Sequence, residues 1–377
     1  MLYRVMELQT SNIIKYNIIC PLCKEEITFE IDDIELFNNI QGDLATFTIE
    51  SHGNPPHIVT VYIDRNREIK GTYPFLVKSV EKRNEGELNY NHIIDASADI
   101  SLEEAIQIGL EIVPYDIIID GKVRRKYLND VSPAEVLKMI TNNMTIESKS
   151  IQVDDFLRTF RFYDNEKETI VNTACSQLSK NYRNAVKAKK MLNIEKPDLA
   201  EKINIIDTHA IGNILKLIAT TSLEMDRRGR DLKEILRYVD WMKHCHRTYF
   251  LVDDLENLKH SDILGTFAGF FSSVRGTKPL IACNVDGLGK IEPCKSIKDC
   301  KEGMGEFARL MKKDFRGREL SGIIFHCLAE EKAQRLLEYL EIILNINKDD
   351  FNIEPVGSSV CIHGGIGLLG LSVFPKK

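Results

Sequence analysis

From residue 92 onward, apolar β-branched runs alternate with amphipathic helical segments, and this alternation constrains the fold more than any other feature of the chain. HIIDASADIS (92–101) is an apolar run that closes on small polar and acidic residues. SLEEAIQIGL (101–110) follows with helical spacing, Ser101 as N-cap and Glu103 and Glu104 in the first turn. EIVPYDIIIDGK (111–122) reads as a second strand, and VSPAEVLKMIT (131–141) as a second helix with Ser132 as cap and Pro133 at its first position. ETIVNTA (168–174) and KINIIDT (202–208) continue as strands, LSKNYRNAVKAKKM (178–191) as a helix, and a long helix runs on to about Arg230. Such alternation predicts a parallel sheet covered on both faces, with ligands beyond the carboxyl ends of the strands. After a helix-rich middle from Asp231 to Phe315, which includes the strand-like TKPLIACNVDGLGKIEP, the pattern restarts at ELSGIIFHCLAE (319–330) and EEKAQRLLEYLEIILN (330–345). The expected class is α/β, in two lobes of about 91–225 and 231–377 that share one groove.

The first 80 or so residues have another texture. ATFTIES (45–51) and HIVTVYID (57–64) mass β-branched residues, and DRNREIKG (64–71) has the composition of a hairpin connection. A small β-rich domain over 1–85 is expected, joined to the rest by the polar linker EKRNEGELNYN (81–91). Its sharpest feature is Cys20-Pro21-Leu22-Cys23 with His52 and His57 in SHGNPPH. A C-x-x-C knuckle presents two thiolates at zinc-binding separation, and two histidines complete a tetrahedral Cys2His2 set. The competing reading is a turn with two ordinary thiols, because the two halves lie far apart in sequence.

Bulk properties exclude several classes. A formal charge of −6 argues against nucleic-acid binding, which needs clustered cations to displace counterions. No run of about 18 apolar residues offers a bilayer span, and the N-terminus has no apolar h-region of the secretory kind. Nine cysteines in 377 residues are too sparse for a disulfide framework. Cys283, Cys327 and Cys361 sit in apolar strings as small buried hydrophobes of a reducing compartment, so the cytoplasm is the expected location. There is no Gly-x-x-x-x-Gly-Lys-Ser/Thr loop, so no ATP site of that type is expected.

Near its end the chain reads SVCIHGGIGLLGLSVF (359–374). A strand, a tight loop and a second strand are expected here, with Gly364, Gly365, Gly367 and Gly370 permitting the turn and the close approach of a guest to His363.

The order of motifs from about Asn91 to the C-terminus resembles the DegV family, fatty-acid-binding proteins that form the lipid-holding subunit of bacterial fatty acid kinase. Its D-S-T-A-D corresponds to Asp95-Ala96-Ser97-Ala98-Asp99, and its V-V-P-L and D-G to Ile112-Val113-Pro114-Tyr115 and Asp120-Gly121. D-D-L-x-x-L-K is Asp253-Asp254-Leu255-Glu256-Asn257-Leu258-Lys259, and K-P-I-L is Lys278-Pro279-Leu280-Ile281. The closing H-x-G-P-G-x-x-G is His363-Gly364-Gly365-Ile366-Gly367-Leu368-Leu369-Gly370.

The resemblance implies a long-chain fatty acid lying between the lobes, its carboxylate held by hydroxyls of two loops and by His363, with Gly364 and Gly365 admitting the head group. It also implies a lipid-binding protein without an ATP site of its own, working with a fatty acid kinase catalytic subunit. A hexadecanoyl tail at ~0.8 kcal/mol per buried CH2 offers on the order of 10 kcal/mol, whereas a hydrogen bond to a carboxylate supplies about 1.5–3 kcal/mol. The tail therefore sets affinity and the polar loops set orientation. The loops themselves depart from the family. T-S-Q-P-S becomes Ser148-Lys149-Ser150-Ile151-Gln152, and S-S-x-L-S-G-T-Y becomes Cys175-Ser176-Gln177-Leu178-Ser179-Lys180-Asn181-Tyr182. Ser148, Ser176 and Ser179 keep hydroxyls, and Lys149 either pairs with an anion or points into water. Where the family carries G-G-R after D-D-L-x-x-L-K, implicated in kinase docking, the chain reads Lys259-His260-Ser261-Asp262-Ile263, one residue shorter and without the arginine.

Other readings compete. In the related fold of the dihydroxyacetone kinase substrate subunit, a histidine binds a small carbonyl compound covalently, which would make His363 a nucleophile. A third reading is a regulator whose N-terminal domain reports lipid occupancy to another macromolecule. His244 and His246, two apart, do not share a helix face and read as structural. Asp253 and Asp254 read as a helix cap and an anchor of the lobe contact. KNYRNAVKAKK (180–190) reads as a solvated helix face, and GTFAGFFSSV (265–274) as core that can line an acyl tunnel.

Overall fold

A computed structural model of the chain describes residues 13–20, 22–33, 36, 40–41, 44–53, 57–76, 87–164, 166–253 and 278–376. Asp254, the segment 265–274 and most of the linker lie outside them. The chain divides into two compact units, the first reaching residue 82 and the second starting at 83.

The N-terminal unit is antiparallel β. Strands β1 (Ile13–Ile19) and β2 (Glu26–Asp32) form one hairpin, and β3 (Ile40–Gln41), β4 (Leu44–His52), β5 (His57–Asp64) and β6 (Ile69–Leu76) form a second sheet in chain order. Period-2 alternation fixes the faces: Tyr16 and Ile18 of β1 and Val59, Val61 and Ile63 of β5 point into one shared apolar cluster. The β5–β6 turn is stabilised as expected of DRNREIKG, since Asp64 Oδ1 accepts the backbone N–H of Asn66 and Glu68 at 2.9 Å each.

The first lobe of the second unit carries a four-stranded parallel sheet built from β7 (Asn91–Asp95), β8 (Leu110–Val113), β12 (Thr169–Thr173) and β13 (Ile203–Asp207), in the order β13-β12-β7-β8. Its helices are α1 (Leu102–Ile108), α2 (Pro133–Thr141), α3 (Val153–Phe162), α4 (Asn181–Glu195), α5 (Pro197–Glu201) and α6 (Asn213–Arg227). Ser101 and Ser132 cap α1 and α2, and Ser132 does so in a full capping box with Glu135. The run 111–122, expected as one strand, is two. Pro114 lacks an N–H and breaks the ladder after β8, and Asp116–Ile119 becomes β9 of a separate antiparallel sheet with β10 (Val123–Lys126) and β11 (Ile146–Lys149). The end of the linker is also packed rather than loose, because Asn89 and Tyr90 donate their backbone N–H to buried Asp226.

The second lobe, reached through α7 (Leu232–Cys245), does not repeat the parallel pattern. Its sheet joins β14 (Arg247–Leu251), β15 (Lys278–Cys283), β16 (Ile291–Ile297), β17 (Leu320–His326), β18 (Phe351–Pro355) and β19 (Leu369–Pro375), and only β17–β18 is parallel. Helices α8 (Cys300–Asp314) and α9 (Glu330–Leu344) pack on it through Phe307, Met311, Leu336 and Leu340. The architecture is thus a two-lobed α/β fold preceded by a β-rich unit. Among the described residues no helix is long and apolar enough to cross a membrane.

The C-terminal stretch corrects one expectation. Residues 358–364 form helix α10 (Ser358–Gly364), not a strand. Val360, Cys361 and Ile362 have the composition of a strand, but burial against the first lobe and the neighbouring loops overrides their propensity. Gly365 at φ +71° ends the helix, donating to the Cys361 carbonyl at 2.9 Å. Gly367 at φ +87° donates to the Cys327 carbonyl at 2.8 Å and lets β19 re-enter the sheet between β14 and β17.

Candidate functional site

Helix α10 is placed by the first lobe. Gly357, just before it, lies so close to Asp99 that an added Cβ would stand 2.3 Å from the carboxylate carbon. Burial pushes the Asp99 carboxyl up to about 7, against the pull of the Gly357 and Ser359 amides. Asp95, at the carboxyl end of β7, accepts from the backbone N–H of Ser97 and of Ala174, tying the loop after β7 to the loop after β12. That second loop is in turn joined to the end of β11: Asn181 Oδ1 accepts from Ile151 N–H at 3.0 Å, and Asn184 donates to the Ile151 carbonyl at 2.8 Å.

These contacts bring His363 of α10 against the end of β11, with Nε2 2.8 Å from Ser148 Oγ. A vestibule of about 580 Å3 lined mainly by polar side chains opens there, with Ser148, Lys149, Ser179, Arg124, Tyr115 and His363 among its walls. His363 also lines an apolar slot of about 60 Å3. It is lined by Leu178 and Ile211 of the first lobe together with Phe250, Val252, Ile281 and Leu368 of the second, and by Gly364 of α10. His363, Leu178 and Ile211 line both spaces. The arrangement can hold an amphiphile whose polar end meets an imidazole and a hydroxyl while its apolar end leaves water.

Of the residues singled out in the sequence, Ser148, Lys149, Ser179 and His363 stand on the vestibule and Gly364 on the slot. Lys149 pairs with Glu147 at 2.6 Å at the rim. Ser176 stands elsewhere: its N–H donates to Asp207 at 3.1 Å, and it is on neither wall. Gly365 is on neither wall, and the space beside Gly367 holds the Asp253 carboxylate rather than room for a guest. Asp253 itself binds Lys278 and Lys332 (2.6 Å to the latter), both of the second lobe, so its pairing holds one lobe together instead of anchoring the lobes to each other. His246 is buried, and burial pulls it down to about 3, as suits a structural residue. Sequence reasoning missed Arg124 and Tyr115. Arg124 is held by Asp116 of the neighbouring strand, and Tyr115 stacks on Tyr127 at 4.6 Å. The pairing of β9 with β10 would have had to be known to find either.

The N-terminal unit gathers a second constellation. One ligand atom from each of Cys20, Cys23, His52 and His57 lies within 4.8 Å of all the others. Cys20 Sγ is 3.1 Å from His57 Nε2, and the rings of His52 and His57 are 4.4 Å apart. Two sulfurs and two imidazoles are the donor set of a structural zinc, whose bond lengths require ligand separations of roughly 3.3–3.8 Å. The donor set fits with small shifts, the Cys20–His57 pair widening slightly and the wider pairs closing.

A family model for the DegV family, described as uncharacterised proteins, matches residues 92–376. A DegV domain-containing protein of Streptococcus pyogenes serotype M1 is 25% identical over 292 residues, covering 77% of this chain and 99% of the relative. Among solved structures, a stearic-acid-binding protein from Eubacterium ventriosum superposes with a TM-score of 0.65 at 19% identity, covering 76% of this chain and 98% of the other. A fatty-acid-binding DegV family protein from Thermus thermophilus gives 0.65 at 16% identity, with 77% and 100% covered. With matching model, shared lobes and the same order of motifs, the chain belongs to the DegV family.

Proposed function

We propose that the second unit binds a long-chain fatty acid between its lobes, in the cytoplasm, with the carboxylate at Ser148 and His363 and the tail in the apolar slot. The observation that carries this reading is the place of His363, on the boundary between a polar vestibule and an apolar slot. Solved relatives of the same fold bind fatty acids by their own descriptions. A slot of about 60 Å3 holds the equivalent of roughly two water molecules, so a long tail enters by parting Leu178 and Ile211 from the facing strands. The tail then supplies most of the affinity, and the imidazole and hydroxyls fix which end meets solvent.

In this reading the protein is a carrier without its own chemistry, which presents the acid at the vestibule to a kinase subunit or buffers it. Denaturing extraction of the purified chain followed by mass spectrometry tests it. A released C14–C18 acid supports it, whereas an empty extract with a mass adduct on the His363 peptide would favour covalent capture of a small carbonyl compound.

The four clustered side chains of the N-terminal unit, Cys20, Cys23, His52 and His57, hold one zinc ion in this reading, and metal analysis of the purified chain measures it.

A further inference from the structure

The Cys2His2 cluster spans parts of the N-terminal unit that no strand ladder joins among the described residues. Cys20 and Cys23 stand in the turn between β1 and β2, in one sheet, and His52 and His57 stand at the end of the β4–β5 hairpin, in the other. Local backbone on each side is shaped for this meeting. Ile49 pairs with Val59, but the next pair is His52 with His57, so β4 carries one residue more than β5 over that step. In an unbroken register residue 51 would oppose His57. The bulge substitutes His52, and directly opposed residues project to the same face, so two imidazoles share it. Gly53, at φ +73°, leaves room that the His57 ring occupies: an added Cβ would stand 2.3 Å from its Cε1 and 3.3 Å from the Cys23 Cβ. On the other side Lys24 takes φ +62°, and Cys20 accepts its N–H at 3.1 Å, closing the turn that holds both thiols.

Two other features join the sheets among the described residues: an exposed ion pair, in which Arg67 of the β5–β6 turn donates to both carboxylate oxygens of Asp33 after β2 at 3.0 and 2.6 Å, and an apolar cluster. Among the described residues that cluster contains Tyr16, Ile18, Ile31, Leu36, Ala45, Val59, Val61 and Ile63, and Cys20 is itself part of it. A lone two-stranded hairpin such as β1–β2 is marginal in water and needs packing against another element to persist. Resting on the zinc reading above, we propose that the ion is the fastener of this unit: the β1–β2 hairpin and the β3–β6 sheet hold their joint structure only around bound zinc. The second unit keeps its fold without it, and among the described residues it contains no comparable cluster.

Hydrogen exchange of the full chain, read by mass spectrometry with zinc bound and after stripping with a strong chelator, tests this. At free zinc about 100-fold above its dissociation constant, stripping lowers protection in β1, β2, β4 and β5 by about 100-fold. Exchange in 91–376 is unchanged, and added zinc restores the loss. Zinc retained at one per chain whose removal leaves exchange in these strands unchanged would overturn the proposal while the zinc reading stands. A chain that neither retains nor binds added zinc ends both. Gly53→Ala removes no ligand atom, yet displacing the His57 ring weakens zinc retention by roughly 10- to 100-fold. An unaltered zinc affinity in that variant would contradict the geometry on which the proposal rests.

Discussion

Ser148 Oγ and His363 Nε2 lie 2.8 Å apart although 215 residues separate them in the chain. One comes from the last strand of the small antiparallel sheet and the other from the two-turn helix α10, whose N-cap Gly357 packs against Asp99. Neither element makes this pair by itself; Asp95, Asn181 and Asn184 fix the loops that bring the two together.

His363→Ala is expected to weaken binding of a free long-chain acid by roughly 10- to 100-fold, the value of a hydrogen bond to a carboxylate. Binding of its methyl ester changes much less. Titration calorimetry with both ligands checks this, and equal losses for the two would remove the head-group role. Ser148→Ala gives the same selectivity with a smaller loss.

Gly370→Ala probes the wall of the slot. Gly370 lies opposite Phe250 on one side and Phe325 on the other, and the two rings meet edge-on at 5.3 Å. A Cβ there would stand 1.9 Å from Phe325 Cε2. Overpacking of this kind costs about 1–3 kcal/mol, measured as a lower denaturation midpoint. Adding Phe325→Leu recovers part of it.

Glu111 gives the stability a pH slope. Burial pushes its carboxyl up to about 8, although the Tyr163 hydroxyl donates to it at 3.0 Å. A raised acid is protonated in the folded state while the unfolded chain ionises near 4.5. Its contribution is therefore present below that value and is lost as pH rises toward 8, by an amount on the order of a few kcal/mol. Buried Asp99 acts in the same direction up to about 7. Glu111→Gln is expected to flatten the decline of thermal stability between pH 5 and 8 relative to wild type, and an unchanged slope would assign the decline to other groups.

Asp226→Ala is expected to destabilise the second unit by about 1–3 kcal/mol, since it removes the acceptor that the buried His92 ring and the Asn89 and Tyr90 amides share. Burial alone would raise the Asp226 carboxyl, but His92 at 3.0 Å and the amides of Asn89 and Tyr90 outweigh it and hold it low. Chemical denaturation measures the loss. Asp226→Asn keeps an acceptor for the amides and loses less.

Much of the fold was legible because local chemistry declares it. Ser101, Ser132 and Pro133 mark helix starts wherever they occur, and the buried parallel strands Asn91–Asp95 and Thr169–Thr173 announce themselves by the β-branched pairs at their centres, Ile93-Ile94 and Ile170-Val171. The second lobe was less legible, because the direction in which a strand pairs is not written in its own residues. Helix α10 was misread as a strand because Val360, Cys361 and Ile362 favour a strand by composition, and only their neighbours impose a helix.

By itself the sequence determined the residue types available to the two sites: thiols and imidazoles in the first unit, and serines with one histidine near the end of the second. Tertiary structure alone decided which of them meet. Ser176 and Gly365 carry suitable chemistry but face elsewhere, whereas Arg124 and Tyr115 reach the vestibule through strand pairing. The reason is geometric. Side-chain chemistry is local to a residue, but the few ångströms between two side chains are set by every element packed between them.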